Sequence, residues 1–310
     1  MLGTFGSLKN WADYVEGHYI LSDSDIKKIQ KVLLMMMDDI HALCGKNGLK
    51  YFITGGCAIG AIRHGGFIPW DDDIDVSMPR ADYDRFAALV KTAFPDKYDV
   101  QEIRADKKYD LNFMKLRLKG TKFVEASDTE RRKAGIFIDI FPIENVCDCI
   151  FAQVWQGIKS DGLQFICSCV RIRKKLDKLK DVMEDNAALS RTLKFKAFIG
   201  GLFGFKSLRG WLLLTERELS RCHNEKSKMI AIPVGRGHFK GERYPRSWFF
   251  EPSLKKFEDR KYFFPAKTKR YLKKLYGDYM TAPQESERES HSVLEFDLGK
   301  YEGLINQEDI

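Results

Sequence analysis

Four aspartates, Asp71, Asp72, Asp73 and Asp75, fall within five positions, directly after the apolar run Phe67-Ile68-Pro69-Trp70. Like charges this close repel unless something positive sits among them, and a metal ion would supply it. The stretch "DIDVSM" alternates. As a strand it projects Asp73 and Asp75 from one face and sends Ile74 and Val76 into the other. Two carboxylates so spaced can share a hard cation. Mg²⁺ takes oxygen ligands at about 2.0–2.1 Å, usually one or two carboxylates plus substrate phosphates, with Mn²⁺ as the alternative ion. Asp71 and Asp72 fall in the loop before the strand. A solvated acidic loop is disfavoured because the run leads straight into apolar alternation. An EF-hand fails too: counted from Asp71, its glycine falls on Val76 and its glutamate on Asp82.

Phosphoryl chemistry at a metal calls for a further carboxylate. "GIFIDIFPIE" carries one, Asp139, inside the apolar run Phe137 to Phe141, which reads as a buried strand ended by Pro142. A lone carboxylate there is costly unless metal-bound or paired, an Arg partner being the other reading. Lys115 and Arg117 alternate along one face of the strand "LNFMKLRL". They suit a diphosphate or triphosphate, or simply a solvated strand face. Gly55-Gly56 follows the short strand "LKYFIT" and precedes the helix "CAIGAIRHGG". It reads equally as a tight turn or as a phosphate cradle at a helix N-terminus.

The elements that must hold these groups are legible from periodicity. Ser22 and Ser24 cap a helix whose Ile26, Ile29, Leu33, Met36, Ile40 and Leu43 share one face, and Gly45 with Asn47-Gly48 stops it. "DYDRFAALVKTAF" is a second amphipathic helix, with Tyr83, Phe86, Leu89, Val90 and Phe94 inward, and "YDVQEIR" and "KFVEA" are strands. The composition shifts near Cys147 and returns to an ordinary mixture near Arg236. Three regions follow: a catalytic core over 1–146, a helical basic-apolar region over 147–235, and a C-terminal segment over 236–310 that completes the core. Cys147, Cys149, Cys167 and Cys169 form two Cys-x-Cys pairs, read as buried small hydrophobes more readily than as a zinc site.

The net charge of +8 and a pI near 9.0 point to anionic partners. No nucleic-acid motif is visible, so nucleic acid is excluded as the partner. The segment 171–214 mixes basic and apolar residues, which suits either peripheral contact with an anionic membrane or a helical hairpin packed on the core. Its apolar runs are broken by Lys194, Lys196, Lys206 and Arg209, which argues against a span. Seven cysteines, with no basic stretch leading into an apolar run at the N-terminus, indicate a reducing cytoplasmic setting.

"YFITGGCAIGAIRHGGFIPWDDDIDVSMPRADYDRF", "GIFIDIFPIE" and the late "YLKKLYGDYMTAP" together resemble the LicD family, relatives of fukutin and fukutin-related protein in the nucleotidyltransferase superfamily. The resemblance implies an α/β (α+β) fold, a mixed sheet flanked by helices. It implies transfer of a phosphorylated small alcohol, phosphocholine foremost, from a CDP-linked donor to a hydroxyl of a cell-surface glycan or its lipid-linked precursor. It places Mg²⁺ on Asp73, Asp75 and Asp139 and the donor phosphates at Gly55 and Gly56. Asp139 is the candidate base or equally a pure metal ligand, with His64, Asp72 and His291 as secondary site candidates. Two other classes compete: a sugar transferase gripping a nucleotide sugar through Asp-x-Asp, and a non-catalytic nucleotide- or glycan-binding relative.

Overall fold

The computed structural model describes residues 19–125, 128, 134–176, 187–288, 291 and 293–303. Residues 1–18, and 177–186 within the basic-apolar region, lie outside the described residues. Helix α1 (Asp23–Asn47) opens on a capping box. The Ser22 hydroxyl accepts from the Asp25 N–H at 3.1 Å, and the Asp25 carboxylate accepts from the Ser22 N–H at 3.0 Å. Gly48, in the left-handed region at φ 65°, ends it. Its expected face, Ile26 through Leu43, is buried, and from Ile29 onward it packs in the main core.

Strand β1 (Phe52–Ile53), helix α2 (Gly55–Arg63), strand β2 (Asp75–Pro79) and helix α3 (Arg80–Ala93) follow. Next come β3 (Tyr98–Gln101), β4 (Met114–Leu118), β5 (Lys122–Glu125) and the long β6 (Phe137–Val146). The main sheet runs β1-β2-β6-β4-β3 and is mixed: β2 and β6 are parallel, and the other pairs are antiparallel. Strands β7 (Met229–Ala231) and β8 (Arg243–Pro245) extend it beside the far end of β6.

Strand β6 does not stop at Pro142. It continues to Val146. Proline is tolerated there because β4 pairs only as far as Ile140 and β7 begins only at Glu144, so one edge is unpaired at that point. The expected first strand is shorter than its apolar run, only Phe52–Ile53. Asp73 sits just before β2, not within it.

Helices α4 (Ile150–Lys175), α5 (Ala187–Leu202) and α6 (Leu208–Leu219) form a helical layer. Arg80 ties it to the core, pairing with Glu144 on β6 and, at 3.1 Å, with Glu216 on α6. Asn112 donates to the Leu212 carbonyl at 2.9 Å. Cys149 and Cys167 stand at the N-cap and deep within α4, about 27 Å apart along the axis at about 1.5 Å per residue. The two Cys-x-Cys pairs therefore cannot share a zinc ion. The C-terminal third adds the short helix α7 (His238–Gly241), the hairpin β9 (Ser253–Phe257)–β10 (Arg260–Phe264), helix α8 (Thr268–Tyr276) and strand β11 (Val293–Asp297). Strand β11 pairs with β5, so the chain returns to the strand it left far upstream. Among the described residues, no helix is long and apolar enough to cross a membrane.

Candidate active site

Strand register builds the centre of the site. Asp75 on β2 lies opposite Asp139 on β6, and Asp139 lies opposite Lys115 on β4. Register partners point to the same side of a sheet, so two carboxylates and an ammonium stand in one row. Lys115 Nζ is 3.1 Å from Asp139 Oδ1 and 3.4 Å from Oδ2, and 3.0 Å from Glu125 Oε2. It also lies 3.3 Å over the Phe137 ring, a cation–π contact in a buried setting. Asp139 Oδ1, though close to the ammonium, accepts no hydrogen bond among the described residues.

The aspartate loop is clamped at both ends. The Asp71 N–H donates to the Ile68 carbonyl at 2.9 Å, and Gln30 on α1 donates to the Asp71 carbonyl at 2.9 Å. At the other end the Asp139 N–H donates to the Ile74 carbonyl at 3.1 Å. Asp72 turns inward and is buried, whereas Asp71, Asp73 and Asp75 keep partial access to solvent. They can therefore be reached by an incoming ligand.

Helix α2 begins at the glycine pair. Gly55 has φ 59°, and a Cβ there would stand 2.1 Å from Asp75 Oδ2; a Cβ on Gly56 would stand 3.0 Å from Asp71 Oδ2. The glycines thus let the helix start come up against the carboxylates. The Gly55 N–H is already used, donating to the Tyr271 hydroxyl of α8 at 3.0 Å. Gly55→Ala is expected to lower activity at least about a hundredfold by displacing Asp75. It should also cost about 1–2 kcal/mol of stability from the left-handed backbone alone. Gly65→Ala, at φ 80° with nothing near its Cβ, is the control that should keep activity. Parallel assays and thermal melts of the two variants make the comparison.

His291 joins the cluster from the end of the chain. Its Nδ1 is 2.8 Å from Asp72 Oδ1, and its N–H donates to Asp72 Oδ2 at 3.4 Å. Its Nε2 faces Asp73 Oδ2 at 3.8 Å and Glu125 Oε1 at 3.9 Å. Burial would lower the imidazole pKa, but Asp72, Asp73 and Glu125 hold it well above its usual value.

The electrostatics are those of crowded anions. Burial, then the neighbouring Asp72 and Asp139, raise Asp73 to about 6 against the pull of His291. Burial, then Asp73, Asp139 and Asp71, push Asp75 well above the carboxylate range. Burial raises Asp139 as well, opposed by Lys115. Glu125 goes the other way: burial would raise it, but Lys115, His291 and Arg117 bring it down to about 2.

This donor set fits a hard divalent cation: several mutually repelling carboxylates, partly open to solvent, with one buried oxygen accepting no hydrogen bond. Asp73, Asp75 and Asp139 are the residues that would hold it, with Asp71 beside them. The ligand atoms of Cys57, Asp71 and Asp73 also lie within 4.8 Å of one another. The Cys57 thiol, however, donates to the Asp73 carbonyl at 3.3 Å, and burial pushes its pKa far up. A protonated soft thiol does not suit Mg²⁺.

The structure therefore brings together Asp72, Asp73, Asp75, Asp139, Lys115, His291, Gly55 and Gly56. Two expected residues stand apart. Arg117, expected at the donor phosphates, is only 1% exposed. Its guanidinium is taken up by Gln101 at 2.9 Å, the Gly135 carbonyl at 3.0 Å, Glu125 and Asp128. Burial and these partners leave it nothing to offer an incoming phosphate. His64 is exposed at the C-terminal end of α2, edge-on to Trp70, away from the glycine pair. Lys115 touches carboxylates and is nearly enclosed, so it acts on the site through Asp139 and Glu125. Sequence reasoning passed over Glu125 and Tyr271. Glu125 carries the same signal as Asp139, an acid in an apolar strand, but at the end of a short one. Tyr271 lies within the quoted C-terminal motif.

Fold and site define an α/β protein with a mixed sheet, carboxylates on adjacent strands and a helix that begins with glycines beside them. Residues 48–169 match the family model described as LicD/FKTN/FKRP, nucleotidyltransferase domain. Over 275 residues it is 28% identical to the lipopolysaccharide cholinephosphotransferase LicD of Haemophilus influenzae, a match spanning 87% of this chain and 97% of that protein. The uncharacterized protein RP689 of Rickettsia prowazekii is 40% identical over 74 residues, which are 22% of this chain and 28% of that one.

Proposed function

We propose that this protein transfers a phosphorylated small alcohol, phosphocholine first among them, from a CDP-linked donor to a hydroxyl of a cell-surface glycan or its lipid-linked precursor. The observation that carries the reading is the Asp75–Asp139–Lys115 row with Asp73 beside it, in a chain similar over most of its length to a lipopolysaccharide cholinephosphotransferase. Mg²⁺ held by Asp73, Asp75 and Asp139 would offset the charge of the diphosphate and of the departing CMP.

The chain's own groups do the rest. The acceptor hydroxyl gives its proton to a carboxylate beside the metal, Asp139 in this reading. Its oxygen forms a bond to the phosphorus that carries the alcohol, and the bond from that phosphorus to CMP breaks. Lys115 holds Asp139 in place. His291, fixed by Asp72, adds positive charge beside Asp73.

The test is CMP release by the purified chain with Mg²⁺ from CDP-choline, CDP-ribitol and CDP-glycerol, with UDP-sugars as controls. Release from one CDP donor, absent in Asp75→Asn, is expected and names the transferred group. UMP or UDP from a sugar donor would replace this reading with a glycosyltransferase. Donor binding without turnover, in the presence of acceptor glycolipid, would replace it with a binding protein.

A further inference from the structure

Helix α4 presents one apolar face along its whole length, but only half of it is covered. Toward the C-terminal end, α5 packs on it: a Cβ on Gly200 would meet the Cys169 carbonyl at 2.3 Å, and Ile172 packs with Leu193 and Ala197. Helical spacing places Phe151, Trp155 and Ile158 on the same face as Cys169. At that end α5 no longer reaches, and Phe151 is 83% exposed, Trp155 and Ile158 59% each. Helix α5 carries its own bare stripe, Phe195, Phe198 and Leu202, at a three- and four-residue spacing, with Phe198 65% exposed. Large aromatic and aliphatic side chains left open on two adjoining helices are a docking surface rather than scattered surface apolar residues.

Its charge selects the occupant. Residues 150–176 and 187–214 together hold ten basic residues and a single acid, Asp161. Asp161 is turned inward, accepting from the Phe239 N–H at 3.1 Å. Arg173, Lys174, Arg191, Lys194 and Lys206 are exposed around the apolar stripes. The intervening 177–186, which carries four acids and two lysines, lies outside the described residues.

We propose that the α4–α5 pair docks this protein on an anionic lipid bilayer, Phe151, Trp155, Phe195 and Phe198 entering the interface while the surrounding lysines and arginines meet lipid phosphates. This is the composition of an interfacial element: apolar side chains at the headgroup boundary with basic residues beside them. Vesicle binding is independent of the proposed reaction and is measured without turnover.

The experiment is flotation of the full chain with vesicles of phosphatidylcholine alone or mixed with phosphatidylglycerol. Binding to the mixed vesicles, at least tenfold weaker to neutral ones and weakened by salt, is the expected result. Trp155→Ser with Phe198→Ser should reduce it at least tenfold, as should Lys194→Glu with Lys206→Glu. All four positions are exposed, so the thermal midpoint should not move. Absence of vesicle binding, or binding indifferent to both sets of substitutions, overturns the proposal. So does a dimer in solution that the Phe198 and Trp155 substitutions dissolve, since the face would then belong to a second copy of the chain.

Discussion

Asp75→Asn is expected to abolish CMP release, by at least about a thousandfold, while making the metal-free protein more stable. The two effects have one cause. Asp75 stands beside Asp139 across the parallel strand pair, and burial, then the charges of Asp73, Asp139 and Asp71, raise its pKa well above the usual range. A carboxylate whose folded pKa exceeds its unfolded value destabilises the fold wherever it is ionised in the unfolded chain, that is, above the ordinary Asp range. Asparagine keeps the shape and removes the charge. Calorimetry in chelator at neutral pH should show a midpoint higher by a few degrees, given about 2–4 °C per kcal/mol for proteins of comparable or slightly smaller size. Added Mg²⁺ should then raise the midpoint of the original chain and not that of the variant. A variant that loses both activity and stability would instead mark Asp75 as a structural acceptor.

Lys115→Met should produce the largest loss of stability of any single change at the site, about 3–5 kcal/mol at neutral pH. The ammonium lies within 3.1 Å of two buried carboxylates, Asp139 and Glu125, and methionine would leave both without it. Glu125 shows what the pairing contributes. Burial alone would raise its pKa, yet Lys115, His291 and Arg117 bring it down from 4.5 to about 2. Its stabilisation is therefore fully present above pH 4.5 and is lost as the pH falls through about 2. Without Lys115 that depression shrinks, so the deficit of the variant should narrow as the pH is lowered toward 4, where protonating the carboxylates costs less. Denaturant unfolding at several pH values checks this. Lys115→Met combined with Glu125→Gln should recover part of the loss, because one of the two stranded charges is gone. A deficit that does not change with pH would mean that lost packing on Phe137 dominates.

The sequence makes some of this site plain and hides the rest for physical reasons. Asp73, Asp75 and Asp139 stand out because acids embedded in or leading into apolar alternation are expensive; the strand register sets Asp75 beside Asp139, while Asp73 lies in the loop just before β2. The capped helix ending at Gly48 is equally readable, because cap, apolar face and stop all agree. Arg117 misleads. Alternation shows which face a side chain takes but not whether another element covers that face, and here Gln101, Glu125 and Asp128 enclose it. Pro142 misleads in the opposite way, because a local rule about missing N–H groups cannot see that the neighbouring strand has already ended. Glu125 and His291 meet only because β11 returns to β5, a pairing that no local pattern announces. Glycines 55 and 56 were readable as special, but what approaches them, the Asp75 and Asp71 carboxylates, emerges only in three dimensions.

The same return of the chain bears on its assembly. Gly55 meets Tyr271 across 216 residues, and Asp72 meets His291 across 219. Closing loops of that length costs entropy that grows as about (3/2)RT ln n, and nothing repays it until both ends have docked. The core around α1 is closed by loops of the same length, Arg260 and Tyr262 bonding Asp38 across 222 and 224 residues, so site and core depend on the same long-range pairing of the chain. The candidate site and the core thus stand or fall together, and loosening either end of the chain is felt at both.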